Sequence, residues 1–395
     1  IGLITMDNKK IKELDNENIM HTYGRYDVCL TKGKGVYAYD DNGKKYIDVS
    51  SGIGVNCLGY CDDGWVKAVS EQAGTIQHIS NYYYNKVAGV LAEKLTKATG
   101  LSKVFFGNSG AEANECAIKV ARKYSFDKYG RGRDHIITLV NSFHGRTIAT
   151  LSATGQDVFH NYFFPFVDGF DNAIANDIES LKNTITDKTC AVMLETVQGE
   201  GGVNILDSEY LQQVRKICDE KDILLIVDEV QTGVCRTGKL YGYMHSGIKP
   251  DVVTSAKGLG GGLPIGICMV NDKLKDVMGP STHGTTFGSN PVVCAGANYI
   301  IDTVNTPEFI EEVNKKGTYF KEKLEKIKGV KSVRQQGLMI GIEVEGNAGD
   351  IAKKCTENGL LVITAKTLLR MLPPLNIKYK EIDEALAILK KVMEE

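Results

Sequence analysis

Along the chain, short runs of continuous apolar residues alternate with stretches in which apolar residues recur every three or four positions. The runs at 103–106, 136–140, 190–194, 223–227, 252–255 and 265–270 read as strands buried on both faces. Behind the loop Gly107-Asn-Ser-Gly110, the positions Ala113, Cys116, Ala117, Val120, Ala121 and Tyr124 make one face of a helix. Leu211, Val214, Ile217 and Cys218 mark another, with Asp207 or Ser208 as its N-cap. Such alternation predicts an α/β fold with a mostly parallel sheet covered on both faces. After about Asn298 the pattern changes to long charged helices at 308–328 and 381–395 around short strands at 338–344 and 360–363. Near the start, the segment from Gly35 to Tyr46 predicts a β-hairpin turning at Asn42-Gly43. We therefore expect a large α/β domain over residues 51–297. A smaller α+β domain is expected from both chain ends, residues 1–50 and 298–395.

Charge and composition narrow the function classes. The 395 residues hold 47 Lys+Arg and 49 Asp+Glu, a net charge of −2, which argues against a nucleic-acid or membrane-surface binder. No apolar run approaches the ~20 residues of a membrane span, and no secretory leader pattern opens the chain. Met6 reads as the natural start. The ten cysteines include no C-x-x-C pair, so they read as free thiols packed in a reducing, cytoplasmic setting. The histidines show no metal spacing, and no metal is expected. Glycine is abundant, 42 residues against a usual share of about 7%.

Working residues of such sheets gather beyond the carboxyl ends of the strands. Three places qualify. Asp228 and Glu229 close the 223–227 run, Lys257 follows Val252-Val-Thr-Ser-Ala with glycines crowding behind it, and Gly107-Asn-Ser-Gly110 joins a strand to a helix. A lysine amine can bond covalently to an aldehyde cofactor. A buried carboxylate can keep a pyridine ring protonated as an electron sink. A Ser-Gly at a helix N-terminus offers N–H groups and a hydroxyl to a phosphate. In this order the three describe a pyridoxal phosphate (PLP) site. Gly233-Val-Cys-Arg-Thr-Gly-Lys-Leu240 imitates a P-loop but ends in Leu where magnesium binding needs Ser or Thr.

The chain resembles the class III, ornithine-type PLP aminotransferases, from about Tyr23-Gly-Arg to Arg370-Met-Leu-Pro-Pro. The likeness rests on Phe106-Gly-Asn-Ser-Gly-Ala-Glu-Ala-Asn, Ser142-Phe-His-Gly-Arg, Gln198-Gly-Glu-Gly-Gly, Asp228-Glu-Val-Gln-Thr-Gly, Ala256-Lys-Gly-Leu-Gly-Gly-Gly and His283-Gly-Thr-Thr-Phe-Gly. It implies the aspartate aminotransferase-like fold (fold type I) and a homodimer with a shared active site. It further implies that Lys257 holds PLP and shuttles the proton, Asp228 pairs with the pyridine nitrogen, and Gln231 bonds the phenolic oxygen. Phe143 would stack on the ring. Ser109, Gly110 and Ala111 would hold the phosphate, with Thr286 from the other subunit.

For substrate, the resemblance implies transfer of the δ-amino group of N2-acetylornithine to 2-oxoglutarate by a ping-pong route in arginine biosynthesis. Arginine reads carboxylates through bidentate bonds. Arg370 would read the α-carboxylate of glutamate. Arg146 would read glutamate's distal carboxylate, then the α-carboxylate of acetylornithine. Glu200 would mask Arg370 while the amine donor is bound. Within the family, ornithine aminotransferases carry a tyrosine near the position of Gly52, so the resemblance implies that Gly52 would leave room for an N-acyl group. Asn81 and Thr285 are further candidates for contacting the substrate. Other donors (succinylornithine, succinyl-diaminopimelate, ornithine or 4-aminobutyrate) remain alternatives, as does a non-catalytic binding protein of this fold. Departures from the family pattern include Thr196, Ser289 and Cys235.

Overall fold

The structure, a computed structural model, describes residues 8–395. The expected start at Met6 lies outside the described residues. At its centre is a seven-stranded sheet of β1 (Lys103–Gly107), β2 (His135–Leu139), β3 (Phe170–Ala173), β4 (Thr189–Leu194), β5 (Leu224–Asp228), β6 (Val252–Ser255) and β7 (Gly266–Val270). The spatial order is β1-β7-β6-β5-β4-β2-β3. Neighbours run parallel except at β7, which is antiparallel to both β6 and β1. The sheet is thus mostly parallel, as the apolar runs predict.

Those runs are continuous because both faces are buried. Ile137, Leu139, Val192, Leu225 and Val227 join one core, while their neighbours Ile136, Ala191, Met193, Leu224 and Ile226 join the other. The helix Gly110–Tyr129 presses Cys116, Ala117, Val120 and Ala121 into this second core, the face its spacing predicted. β3 escaped the pattern because its sequence, Phe-Asp-Asn-Ala, is half polar; as an edge strand it has one neighbour only.

Both chain ends share one further sheet. Tyr37–Asp40 and Lys45–Asp48 form the expected hairpin, with Asp40 Oδ1 accepting from the Asn42 and Lys44 N–H groups and Gly43 at φ +77°. The expected strand at 360–363 is split. Leu360–Leu361 pairs parallel with Lys45–Asp48, while Ile363–Ala365 turns into a second sheet beside Leu368–Met371. An apolar run reports burial but not which sheet receives each residue. The expected domain boundary at 297/298 falls inside the helix Pro291–Val304, which packs on the helices Asp63–Ala73 and Lys86–Thr99; we propose that the division lies after it.

All ten cysteines are free, and eight of them are buried. Among the described residues no helix is long and apolar enough to cross a membrane, and no His/Cys/Asp/Glu group is placed to hold a metal ion.

Candidate active site

The carboxyl ends of β1, β2, β4, β5 and β6, with the start of β7, open onto one cavity of about 460 Å³. Three glycines bring its walls together. A Cβ at Gly110 would lie 2.7 Å from Val230, and one at Gly145 would lie 2.9 Å from Ala111. A side chain on Gly266 would strike the Ser109 backbone. The helix N-terminus, the loop after β2 and the loop after β5 therefore sit at backbone distance from each other.

Asp228, the last residue of β5, is buried at 3% exposure. Its Oδ2 accepts from Asn114 Nδ2 and from His144 Nδ1, each at 2.8 Å, and its Oδ1 accepts from Val230 N at 3.0 Å. Thr254 Oγ1 donates to Asn114 Oδ1 at 2.7 Å, so the amide is fixed on both sides. Glu195, just past β4, is also buried and accepts from the Phe143 N–H at 3.0 Å. Burial, and then the charge of Asp228, push the Glu195 carboxyl well above its ordinary range.

Lys257 opens a short 3-10 turn at φ +45°, half-buried on the cavity wall. Burial pushes its amine pKa down, and the carboxylates of Glu200 and Asp228 only partly offset this. A lysine held this way more readily gives up its proton and acts as nucleophile or base. Beside it, Arg370 is 2% exposed and grips Glu200 at two points, Nη1–Oε1 2.8 Å and Nη2–Oε2 3.2 Å. Gln231 joins them: its Oε1 accepts from Arg370 Nη1 (3.0 Å), and its Nε2 donates to Glu200 Oε1 (3.3 Å). Burial alone would raise the Glu200 carboxyl, but Arg370 holds it below its ordinary value. Arg146 is exposed, its guanidinium 5.5 Å from the ring centre of Phe143 and 4.2 Å from that of Phe159.

Of the residues expected from sequence, Lys257, Asp228, Ser109, Gly110, Ala111, Phe143, Gln231 and Arg146 all line the cavity. Arg370 and Glu200 reach it through Gln231. Gly52, Asn81, Thr285 and Thr286 do not line it within this chain. Asn81 instead donates to the carbonyls of Thr285 (3.0 Å) and Gly288 (3.2 Å), so its amide braces a loop. Thr285 Oγ1 accepts from Asn108, and Thr286 faces outward. The Ser109 hydroxyl caps its own helix by exchanging bonds with Glu112. The glycines behind Lys257 serve mostly to let the chain pack closely on its neighbours. Gly260 and Gly261 clear the Leu263 carbonyl and the Trp65 indole, and Gly262 alone lines the cavity.

Sequence reasoning missed Glu195, Asn114 and Phe159. Glu195 sits at a strand end, where the same rule that found Asp228 would have found it. Asn114 is a polar residue on the buried face of a helix, also a legible signal. Phe159 lies in a loop, and nothing in its local pattern marks it.

The donor set fits a phosphorylated pyridine aldehyde. It offers an amine on the wall, a buried carboxylate held by three donors, an aromatic ring, and the first-turn N–H groups of Gly110 and Ala111, which have no intrahelical acceptor. His144 Nε2 is also buried on this wall without a partner. Such a fold and site define a pyridoxal phosphate-type enzyme. Comparison with known proteins agrees. The aminotransferase class-III family matches residues 19–393, and the chain belongs to that family, whose cofactor is pyridoxal phosphate. The chain is 49% identical to the acetylornithine aminotransferase of Haemophilus ducreyi, over 99% of this chain and 100% of that protein. The acetylornithine aminotransferase of Elizabethkingia anophelis superposes with a TM-score of 0.88 at 31% identity, covering 99% and 100% of the two chains. An ornithine aminotransferase of Toxoplasma gondii, described with partial occupancy of PLP at its active site, superposes at 0.93 and 31% identity, covering 99% and 96%.

Proposed function

We propose that this chain transfers the δ-amino group of N2-acetylornithine to 2-oxoglutarate, giving N-acetylglutamate 5-semialdehyde and glutamate. The name borne by its 49% identical relative supports this. So does one structural observation: among the described residues, Arg370 is covered by a carboxylate and Arg146 is not.

Pyridoxal phosphate, when bound, supplies an aldehyde that takes the amine and a protonated ring that accepts electrons. Lys257 would hold it and then, as a neutral amine, carry a proton to and from the substrate carbon that bears nitrogen. Asp228 would keep the pyridine nitrogen protonated, and Asn114 and His144 keep that carboxylate aimed. Gln231 would bond the phenolic oxygen, and Phe143 would cover a ring face. Ser109, Gly110 and Ala111 would hold the phosphate, together with Thr286 of a second copy.

The arginines then sort the substrates. 2-Oxoglutarate carries two carboxylates and needs both guanidinium groups. N2-Acetylornithine presents an uncharged carbon chain where the second carboxylate would lie, so a bare buried Arg370 would be costly. Glu200 neutralises it in that half-reaction and yields it in the other. Arg146 serves the far carboxylate in both. Gly52, at φ +61°, carries no side chain where the resemblance gives ornithine aminotransferases a tyrosine, so no ring stands there against an acyl group; a Cβ on it would be in ordinary contact with Asn56 at 3.6 Å. That favours acetylornithine, succinylornithine or succinyl-diaminopimelate over ornithine or 4-aminobutyrate. Retention of Lys257 with Asp228, Arg146 and Arg370 speaks against a non-catalytic binder. We place the protein in the cytoplasm, in arginine biosynthesis, as a homodimer.

The test is steady-state kcat/KM across N-acetylornithine, succinylornithine, ornithine and 4-aminobutyrate with 2-oxoglutarate. The reading predicts the highest value for N-acetylornithine. A higher value for ornithine or 4-aminobutyrate would overturn it.

A further inference from the structure

Arg146 is the one cation proposed to meet a carboxylate in both half-reactions, yet among the described residues no carboxylate holds it in place. What flanks it is two aromatic rings. Its guanidinium carbon lies 4.2 Å from the centroid of Phe159 and 5.5 Å from that of Phe143. The rings meet edge to face, with centroids 5.8 Å apart and planes at 74°. An arginine against an aromatic face gains attraction without losing charge, so its hydrogen-bond donors stay available. A carboxylate partner would have to be displaced first, as at Arg370.

Phe159 is not a passing loop residue. It ends the short turn Asp157–Phe159, whose preceding residue Gln156 is buried and donates through Nε2 to the Ser142 carbonyl at 3.0 Å. Gly155 N donates to Ser142 Oγ at 3.0 Å, and Asn141 N donates to the Gly155 carbonyl at 2.7 Å. On the other side, His160 Nε2 bonds the Leu151 carbonyl at 2.8 Å. The turn bearing Phe159 is thus tied to the same loop that carries Phe143 and Arg146. Phe143 has its own anchor in Glu195. The three side chains keep their relation because their backbones are stitched together.

Resting on the proposed substrate role of Arg146, we propose that Phe159 is a specificity-determining positioning residue: its ring aims the Arg146 guanidinium at the substrate carboxylate common to donor and acceptor. Phe159 acts through Arg146 and not through the cofactor.

The experiment compares wild type with Phe159→Leu, which keeps apolar bulk but lacks the ring face, and with Phe159→Tyr, which keeps the face. All are studied as the cofactor-loaded protein. Readouts are KM and kcat for N-acetylornithine and for 2-oxoglutarate, the dissociation constant of glutarate (two carboxylates, no amine), and the affinity for pyridoxal phosphate. The expected result for Phe159→Leu is a rise of about two- to five-fold in KM for both substrates and in the glutarate constant, as suits the loss of one exposed cation–ring contact. Its kcat and cofactor affinity should hold, and Phe159→Tyr should restore all values. Unchanged constants in Phe159→Leu would overturn the proposal, because the ring would then be mere filling. A parallel loss of cofactor affinity would also overturn it, because the ring would then act through Phe143. If Phe159→Leu fails to fold, Phe159→Met, which is also apolar and also lacks the ring face, takes its place with the same outcomes: a raised glutarate constant upholds the proposal and an unchanged one overturns it. Wild type that does not transaminate N-acetylornithine but binds glutarate in this ring-dependent way would sink the functional reading and leave the aiming role standing.

Discussion

Arg370 and Glu200 are joined at two points, 2.8 and 3.2 Å, with the arginine at 2% exposure and the carboxylate at 27%. The pair is asymmetric in a useful way. Arg370 is fixed by its burial and its place in the strand Leu368–Met371, while Glu200 sits in a loop flanked by Gly199 and Gly201 and is the partner able to swing. Replacing Arg370 by Ala removes a bidentate reader of carboxylate. We expect KM for 2-oxoglutarate to rise about ten- to hundred-fold, with a smaller loss in the N-acetylornithine half-reaction. Single-turnover rates of the two half-reactions, measured separately, check this. Equal losses in both contradict the masking role of Glu200.

Lys257 gives a prediction with a pH sign. Burial depresses its amine pKa in the fold below the unfolded value, about 10.4. Between those two values the unfolded chain binds the extra proton, so stability rises with pH across that window and is lost as pH falls toward the folded value. In cofactor-free protein, Lys257→Met should therefore melt no lower than wild type at neutral pH, with the difference narrowing as pH rises toward 10. The same variant should lose transamination altogether. Borohydride treatment of the loaded wild type should fix the cofactor's mass to the chain, and the variant should gain none. Appreciable residual turnover would refute the assigned role.

Asn114 is 1% exposed and stands between Thr254 Oγ1 and Asp228 Oδ2. Asn114→Ala leaves a buried hydroxyl without its acceptor and a buried carboxylate short of one donor. The expected cost is about 1–3 kcal/mol of folding stability, with weaker retention of pyridoxal phosphate because Asp228 loses its aim. Asn114→Asp should be worse, since it sets a second carboxylate against Asp228 in a buried site. Urea melts and equilibrium dialysis of the cofactor test both. An Asn114→Ala protein as stable and as well loaded as wild type would show that His144 and the Val230 N–H suffice to hold Asp228.

How legible was all this in the sequence? The central sheet was, because burial on both faces writes an uninterrupted apolar run, and Asp228 and Lys257 stand out as charges ending such runs. β3 was not, since an edge strand needs only partial burial. The switch between Leu361 and Ile363 from one sheet to another was also hidden, because tertiary packing and not local pattern chooses the neighbour. Among site residues, those on the cavity wall were named correctly by motif as far as placement goes. Asn81 and Thr285 bond to their own loop and lie off the cavity wall of this chain, and motif position cannot tell a side chain that meets a ligand from one that braces the loop beside it. Phe159 was invisible, because its relation to Arg146 depends on a hydrogen-bonded turn that brings residues thirteen positions apart together.

The outward face around Thr286 makes the last prediction. Tyr82, Tyr83 and Tyr84 are 95%, 73% and 106% exposed, and Phe287 is 62% exposed. Asn81 ties these segments together through the Thr285 and Gly288 carbonyls. A monomer seldom leaves such an aromatic cluster in water. A two-fold dimer would cover it and could bring Thr286 of each copy to the other's phosphate cradle. Thr286→Ala should then bind pyridoxal phosphate more weakly, and Lys257→Ala should be inactive. Unfolding and refolding the two variants together forms hybrid dimers in which one site has both its lysine and its threonine. At limiting cofactor, an equal mixture should recover activity beyond the sum of the separate variants, approaching about a quarter of wild type if copies pair at random. Activity equal to the sum of the separately refolded variants would mean that Thr286 serves its own chain or none, and the shared site would have to be abandoned.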